Sequence, residues 1–201
     1  IFTVDENPML DQIYFVGLHT FCRNDLLASM NLREGNILNY KDLRHDIQAL
    51  RDYYHSRGYV LMSVKEIVEP QDDGILTIVI KEGIVEDIFL KGVEFTREYV
   101  ITREMDTRVG RAFNINTLQE DVRRIYNTGY MEGINIDPPV AGLDPDKVVV
   151  VLNMKEKRSG SLQFGGGVGS ASGFFGFLQL AFTNFLGEGY NVSAKAQWGE
   201  K

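Results

Sequence analysis

Apolar positions recur along this chain at two periods. Leu43, Ile47, Leu50 and Tyr54 follow one another at helical spacing, and Leu118, Val122 and Ile125 do the same further on. Short apolar runs at 75–81 and 147–154 read as strands, each preceded by a turn signal, Asp72-Asp73-Gly74 and Asp144-Pro145-Asp146. Near the end the period becomes two. Val192, Ala194, Ala196 and Trp198 share one face, and Asn191, Ser193, Lys195 and Gln197 share the other. Phe174, Leu178, Leu180 and Phe182 form a comparable face, and Leu162-Gln163-Phe164 begins the same alternation before it dissolves into Gly165-Gly166-Gly167.

The first part is a repeat. Ile13-Tyr14-Phe15-Val16-Gly17-Leu18 matches Ile88-Phe89-Leu90-Lys91-Gly92-Val93, an offset of 75 residues. The offset persists through Met30 and Met105, Gly35 and Gly110, Asn39 and Asn114, Asp46 and Asp121. It falls to 71 at Gly58-Tyr59 and Gly129-Tyr130, so the second helix is about one turn longer in the first copy. Each copy reads as β-α-α-β-β. First strands fall at 12–18 and 87–93, and short helices at 24–31 and 97–105. Asn39 and Asn114 stand as N-caps of the second helices, and Gly58 and Gly129 end them. Second strands fall at about 60–68 and 131–136. Such a three-stranded sheet covered on one face leaves its outer strands with unpaired N–H and C=O groups, which points to a module that binds by strand addition.

Composition sharpens the division. From Gly160 onward the only charged residues are Glu188, Lys195, Glu200 and Lys201, and half of the 20 glycines lie in this tail. The tail segments are about 9–11 residues long, the length of a tilted transmembrane strand, with turns expected at Ser170-Ala171-Ser172-Gly173 and from Asn184 to Gly189. A soluble β-sandwich edge gives similar alternation. The exposed apolar face of such a meander should drive self-association. A net charge of -7 argues against a nucleic-acid partner and does not favour an anionic membrane surface. With one cysteine, Cys22, there is neither an internal disulfide nor a CxxC pair. Ile1 to Asp5 has no basic start or apolar core of a signal peptide, and both ends fall inside structural units, so the sequence reads as a piece of a longer chain.

Together these pieces resemble the BamA family of outer-membrane β-barrel assembly proteins, with its periplasmic POTRA modules. The carriers are Gly17-Leu18, Gly35 and Tyr54-His55-Ser56-Arg57-Gly58-Tyr59 in one copy, and Gly92-Val93, Gly110 and Tyr126-Asn127-Thr128-Gly129-Tyr130, one residue shorter, in the other. Val4-Asp5-Glu6-Asn7-Pro8 looks like the end of a preceding module. Gly160-Ser161-Leu162-Gln163-Phe164-Gly165-Gly166-Gly167 resembles the family's first barrel strand, and Asn184-Phe185-Leu186-Gly187-Glu188-Gly189-Tyr190 its first periplasmic turn. The resemblance implies an α+β chain: residues 1–8 close one POTRA module, 9–83 and 84–158 form two more, and 159–201 begin a transmembrane barrel as an antiparallel meander.

The resemblance also implies a function without bond chemistry or cofactor, at the bacterial outer membrane with the modules in the periplasm. Unfolded barrel clients add as strands to Val60, Leu61, Met62, Ser63, Val64 and Lys65, or to Met131, Glu132, Gly133, Ile134, Asn135 and Ile136, where Pro138 and Pro139 should stop pairing. Ser161, Leu162, Gln163, Phe164, Gly165, Gly166, Gly167, Val168 and Gly169 are the weakly paired barrel seam, although the glycines equally suit curvature or close packing. Accessory lipoproteins and outer-membrane lipid are further implied partners. A two-partner secretion exporter, or the barrel anchor of a patatin-like lipase, fits the same residues.

Other constellations read as structural. His19, His45 and His55 are too scattered for a metal site, and no Lys-Ser or Lys-Thr follows the glycines as a phosphate loop requires. Glu82, Glu86 and Asp87 read as a solvated linker, and Arg123-Arg124 as a solvated helix face.

Overall fold

The computed structural model describes residues 7–71, 73–169 and 173–199. Most of the preceding-module remnant (residues 1–6), Asp72 and the turn residues Ser170, Ala171 and Ser172 lie outside the described residues. The first repeat comprises β1 (Gln12–Val16), α1 (Arg23–Ala28), α2 (Tyr40–His55), β2 (Ser63–Val68) and β3 (Ile75–Lys81). The second comprises β4 (Ile84–Lys91), α3 (Glu98–Thr102), α4 (Ile115–Asn127), β5 (Met131–Ile136), β6 (Val140–Ala141) and β7 (Lys147–Glu156). The tail forms β8 (Gly160–Gly169), β9 (Gly173–Phe185) and β10 (Tyr190–Gly199). This is the expected α+β class, with two β-α-α-β-β repeats and an antiparallel meander.

The chain divides into two compact units. One holds the described residues up to Ile88 with Thr107–Gln119 and Pro139–Val150; the other holds Phe89–Asp106, Glu120–Pro138 and the described residues from Val151. The division runs through the second repeat, because β4, α4 and β7 each cross it.

In the first unit β3 is the central strand. Gln12 pairs with Ile75 and Val16 with Val79 in parallel, while β2 runs antiparallel on the other side, from Ser63 opposite Lys81 to Val68 opposite Thr77. The helical apolar stripe explains why α2 lies on this sheet: Leu43, Leu50 and Tyr54 are buried with Ile13, Leu76, Ile78 and Ile80. Burying each such side chain stabilises by about 1.5–3 kcal/mol. Asn39 caps α2 as expected, its carbonyl oxygen accepting from the N–H groups of Lys41 and Asp42. Asn114 caps α4 the same way through Asn116 and Thr117. Asp46, fully buried on α2, accepts from the N–H groups of Asn31 and Leu32 and so ties down the α1–α2 loop. Its repeat mate Asp121, also fully buried, accepts from the N–H of Asp106 at the matching place in the second unit.

Two supposedly solvated groups are tied into the fold. Glu82 is 2% exposed, and its carboxylate accepts from the Tyr54 hydroxyl at 2.8 Å and from the Thr20 hydroxyl and N–H. These donors replace water, which lets a carboxylate close the core. Burial and the facing Glu82 carboxylate push the Tyr54 phenol well up. Arg124 is likewise a clamp rather than a solvated residue, since it donates to the Glu104 carbonyl and pairs with Asp106 and Asp121; Arg123 does stay exposed.

In the second unit β9 is the central strand of the meander. Leu162, Leu180 and Ala194 stand abreast, as do Phe164, Leu178 and Ala196, so the alternating residues of all three strands build one apolar face. It is open: Phe164 is 80% exposed and Phe174 71%. No described helix is long and apolar enough to cross a membrane, which says nothing of a strand-built crossing.

Candidate functional site

The first candidate edge is β2, which among the described residues has a neighbour on one side only. The structure shifts it relative to the sequence reading. Val60 and Leu61 lie in a turn and Met62 precedes the strand, because Met62 donates its N–H back to the Tyr59 carbonyl and its side chain, 4% exposed, fills the core. Ser63, Val64 and Lys65 do begin the strand, but the pairing slips between Val64 and Glu66. The Lys65 ammonium there is held by the Asp146 carboxylate at 2.9 Å, with Lys81 on the same carboxylate at 3.5 Å. These two lysines, Lys65 foremost, hold the Asp146 carboxyl below its ordinary range. A bulge turns an edge away from further pairing. The straight, open part of β2 is therefore Glu66, Ile67 and Val68, all exposed.

Beside this stretch runs a groove of about 430 Å³ lined by Tyr40, Leu43, Arg44 and Ile47 of α2 and by Ile67 and Glu69. Sequence reasoning missed it. The signal was present, since Tyr40, Leu43, Arg44 and Ile47 recur at helical spacing and Ile67 interrupts a polar stretch. Tyr40 donates its hydroxyl to Glu69, which closes one end of the groove with a polar pair and pushes the phenol upward.

The equivalent edge in the second repeat is β5. Met131 is buried, Gly133, Ile134 and Ile136 are half-buried, and Glu132 and Asn135 are exposed. The prolines interrupt rather than end it: after Pro138 and Pro139, β6 resumes pairing with Val140 opposite Val149. This happens because only two donors are missing, and neighbouring Asp137 still donates its N–H to Val151.

The third candidate, β8, pairs only with β9 among the described residues, so Ser161 to Val168 carry an open edge. Its glycines have a packing role. A methyl group on Gly165 would stand 2.8 Å from the Phe177 ring, and one on Gly167 would stand 2.9 Å from the Phe175 ring. Both rings lie over β8 on the face opposite Phe164. Across the apolar face, Gly176 leaves the same room for Trp198.

The turn after β9 is built as a plug. Asn184 is 4% exposed, takes a positive φ, donates to the Thr96 hydroxyl at 2.8 Å and accepts from the Gly189 N–H at 2.7 Å. Arg97 donates its N–H to the Gly187 carbonyl and its guanidinium to Glu188. Tyr99 donates to Glu188, and Tyr130 to the Gly189 carbonyl. The receiving loop is held by Glu156, whose carboxylate accepts from the N–H groups of Glu94, Phe95 and Thr96. Burial raises the Glu156 carboxyl, but these donors outweigh burial and the net displacement is below its ordinary 4.5. A depressed carboxyl stabilises the fold above its unfolded value and loses that contribution as pH falls through the folded one. The amides of Phe95 and Thr96 should therefore exchange faster on acidification below about pH 4.5, and Glu156→Gln should abolish that acid-dependent step, as hydrogen exchange would read.

Among the described residues no histidine, cysteine and carboxylate cluster could hold a metal ion, and His19, His45 and His55 are all exposed. Cys22 is exposed at the start of α1.

Two β-α-α-β-β modules followed by a strand meander with one bare apolar face define a class of modular α+β protein whose repeats precede a strand-built segment. The POTRA family, described as surface antigen variable number repeat, matches residues 8–83 and 84–157. A Treponema pallidum relative, described as a candidate outer membrane protein assembly factor, is 30% identical over 94% of this chain and 24% of its own length. The outer membrane protein assembly factor BamA of Neorickettsia risticii is 25% identical over 82% of the chain and 23% of its own length. The N-terminal domain of Omp85 from Thermosynechococcus elongatus superposes with a TM-score of 0.70 at 28% identity, covering 76% of this chain and 68% of that one. The chain belongs to the POTRA family and is a BamA-family protein of the outer membrane, its POTRA modules periplasmic. It spans about a quarter of the length of the two curated relatives named here.

Proposed function

We propose that this chain is the part of an outer-membrane assembly factor that receives unfolded β-barrel clients as added strands and passes them to the opening edge of its own barrel. Residues 9–83 and 84–158 act as the receiving modules, 159–201 as the start of the barrel, and residues 1–8 close a further module. The observation that carries this reading is the open edge Glu66–Val68 beside the groove of α2. A client strand added there takes backbone hydrogen bonds from β2 and sets every second side chain into the groove. Each bond contributes about 0.5–1.5 kcal/mol net, and one groove-filling aliphatic side chain about 1.5–3 kcal/mol. The sum supports weak, reversible capture, which suits a carrier that must let go.

β5 offers a second edge, and Ser161 to Gly169 a third. Rings lying over Gly165 and Gly167 are consistent with a strand whose own side chains add little packing, so its pairing rests on the backbone. No covalent step is required.

The test is photocrosslinking from the intact protein in a Gram-negative envelope, with a photoreactive residue at Ile67, at Gln163 or at buried Met62. Adducts with nascent outer-membrane barrels at Ile67 and Gln163, and none at Met62, are expected. A single large secreted protein as the sole adduct would replace this reading with the exporter, and no polypeptide adduct at either edge would sink it.

A further inference from the structure

The apolar face of the meander has a measurable length. On β9 it runs from Phe174 through Leu178, Leu180 and Phe182 to Phe185, whose ring meets that of Phe182 edge-on at 5.9 Å. That span is about 36 Å of strand at 3.3 Å per residue. Tilted by the 35–45° of a membrane barrel, it rises about 26–30 Å, close to the apolar band of such barrels. Phe185 and its pairing partner Tyr190, 38% and 65% exposed, then stand where an aromatic girdle meets the lipid headgroups.

The plug brings part of the second repeat to the same level. Gly187 lies against the Phe95 carbonyl, and Tyr99 bonds Glu188 beside Tyr190. Phe95 is nonetheless 50% exposed, Tyr99 46% and Leu186 66%. Nothing in the core uses these side chains. Arg158 is exposed next to Ser159, whose carbonyl accepts from the Thr183 N–H, so a cation stands at the same end of the strands. The whole chain is acidic, but this end sets aromatic rings among Arg97, Lys157 and Arg158 as well as Glu94, Glu98 and Glu188, a mixture of rings and charges that suits a membrane–water interface.

We propose that the segment from Phe95 to Tyr99, which enters α3, together with Leu186 and Arg158, is an interfacial anchor that sits in the phospholipid headgroup layer on the periplasmic side of the outer membrane. The second POTRA module thus touches lipid itself and does not merely hang from the barrel. The anchor rests on the reading of residues 159–201 as membrane-spanning strands. Phe95 and Leu186 insert their side chains at the acyl boundary, the Tyr99 ring lies along it, and Arg158 meets the phosphates.

The experiment uses the full-length protein in bilayers of phosphatidylethanolamine and phosphatidylglycerol, in a Cys22→Ser background. Single spin labels are placed through Phe95→Cys, Leu186→Cys, Phe164→Cys and Leu143→Cys, all at exposed positions. Collision with oxygen, which concentrates in lipid, is compared with collision with a water-soluble nickel chelate. The ratio at residues 95 and 186 should be several-fold above that at Leu143, which is 97% exposed. A lipid-like ratio at 164 with water-like ratios at 95 and 186 would overturn the anchor alone. A water-like ratio at 164 as well would overturn both the anchor and the membrane-strand reading.

Discussion

Gly17→Ala should lower the melting temperature of the protein far more than Gly35→Ala does. Both glycines lie in the first repeat with nearly the same left-handed backbone, φ +87° and +85°. A side chain at either position costs about 1–2 kcal/mol in conformation alone. They differ in what surrounds them. A methyl group on Gly17 would stand 2.1 Å from the Ile80 carbonyl oxygen on central β3, whereas nothing lies within 4 Å of one on Gly35. Backbone in the middle of a sheet cannot swing aside as a side-chain tip can, so we expect a total near 3–5 kcal/mol for Gly17→Ala, among the largest for a single substitution. The two variants should then melt about 4–12 °C apart. Equal melting would show that β3 yields at its end. The second repeat makes the same comparison at Gly92, where a methyl group would stand 2.1 Å from the Met154 carbonyl oxygen, and Gly110, which is open.

Asn184→Leu should release the plug. The asparagine satisfies buried Thr96 and half-buried Gly189, and its φ of 57° is one that asparagine tolerates better than leucine does. Leucine would strand the Gly189 N–H and the Thr96 hydroxyl, each at about 1–3 kcal/mol, and add backbone strain. The amides of Arg97, Gly187 and Gly189 should lose protection by at least an order of magnitude, since about 1.4 kcal/mol is a tenfold change in an opening equilibrium. Asn184→Asp keeps the acceptor for the Gly189 N–H but faces the threonine hydroxyl with an acceptor where asparagine placed a donor, so its loss should fall between those of asparagine and leucine. Unchanged protection in the leucine variant would mean that the salt bridge of Arg97 with Glu188 and the Tyr130 bond hold the turn unaided.

What the sequence showed depended on distance along the chain. Asn39 and Asn114 cap the residues immediately after them, and the strand alternation around Val192 to Trp198 states its own face, so both were legible. The repeat made Gly17 and Gly92 visible as a pair, but not the carbonyl oxygens that exclude any side chain there. Those oxygens belong to strands roughly sixty residues away. Val60 to Met62 read as strand because their apolar character suits one; the chain instead spends them on a turn and a core contact. Glu82 and Arg124 read as solvated because charge is usually exposed, and only the fold supplies their partners. The groove of α2 and the plug of Asn184 on Thr96 required contacts that no local pattern encodes.

The parallel pairing of β1 with β3 also governs the order of folding. Gln12 meets Ile75, so the first module must close a loop of about sixty residues before its central contacts can form. β9 and β10 meet across a turn of a few residues, and such hairpins form within about 1–10 μs. On dilution from denaturant the meander therefore starts first, with its apolar face bare while the modules are still searching. Refolding becomes a race between slow intramolecular closure and encounters between molecules, and its yield should fall as protein concentration rises.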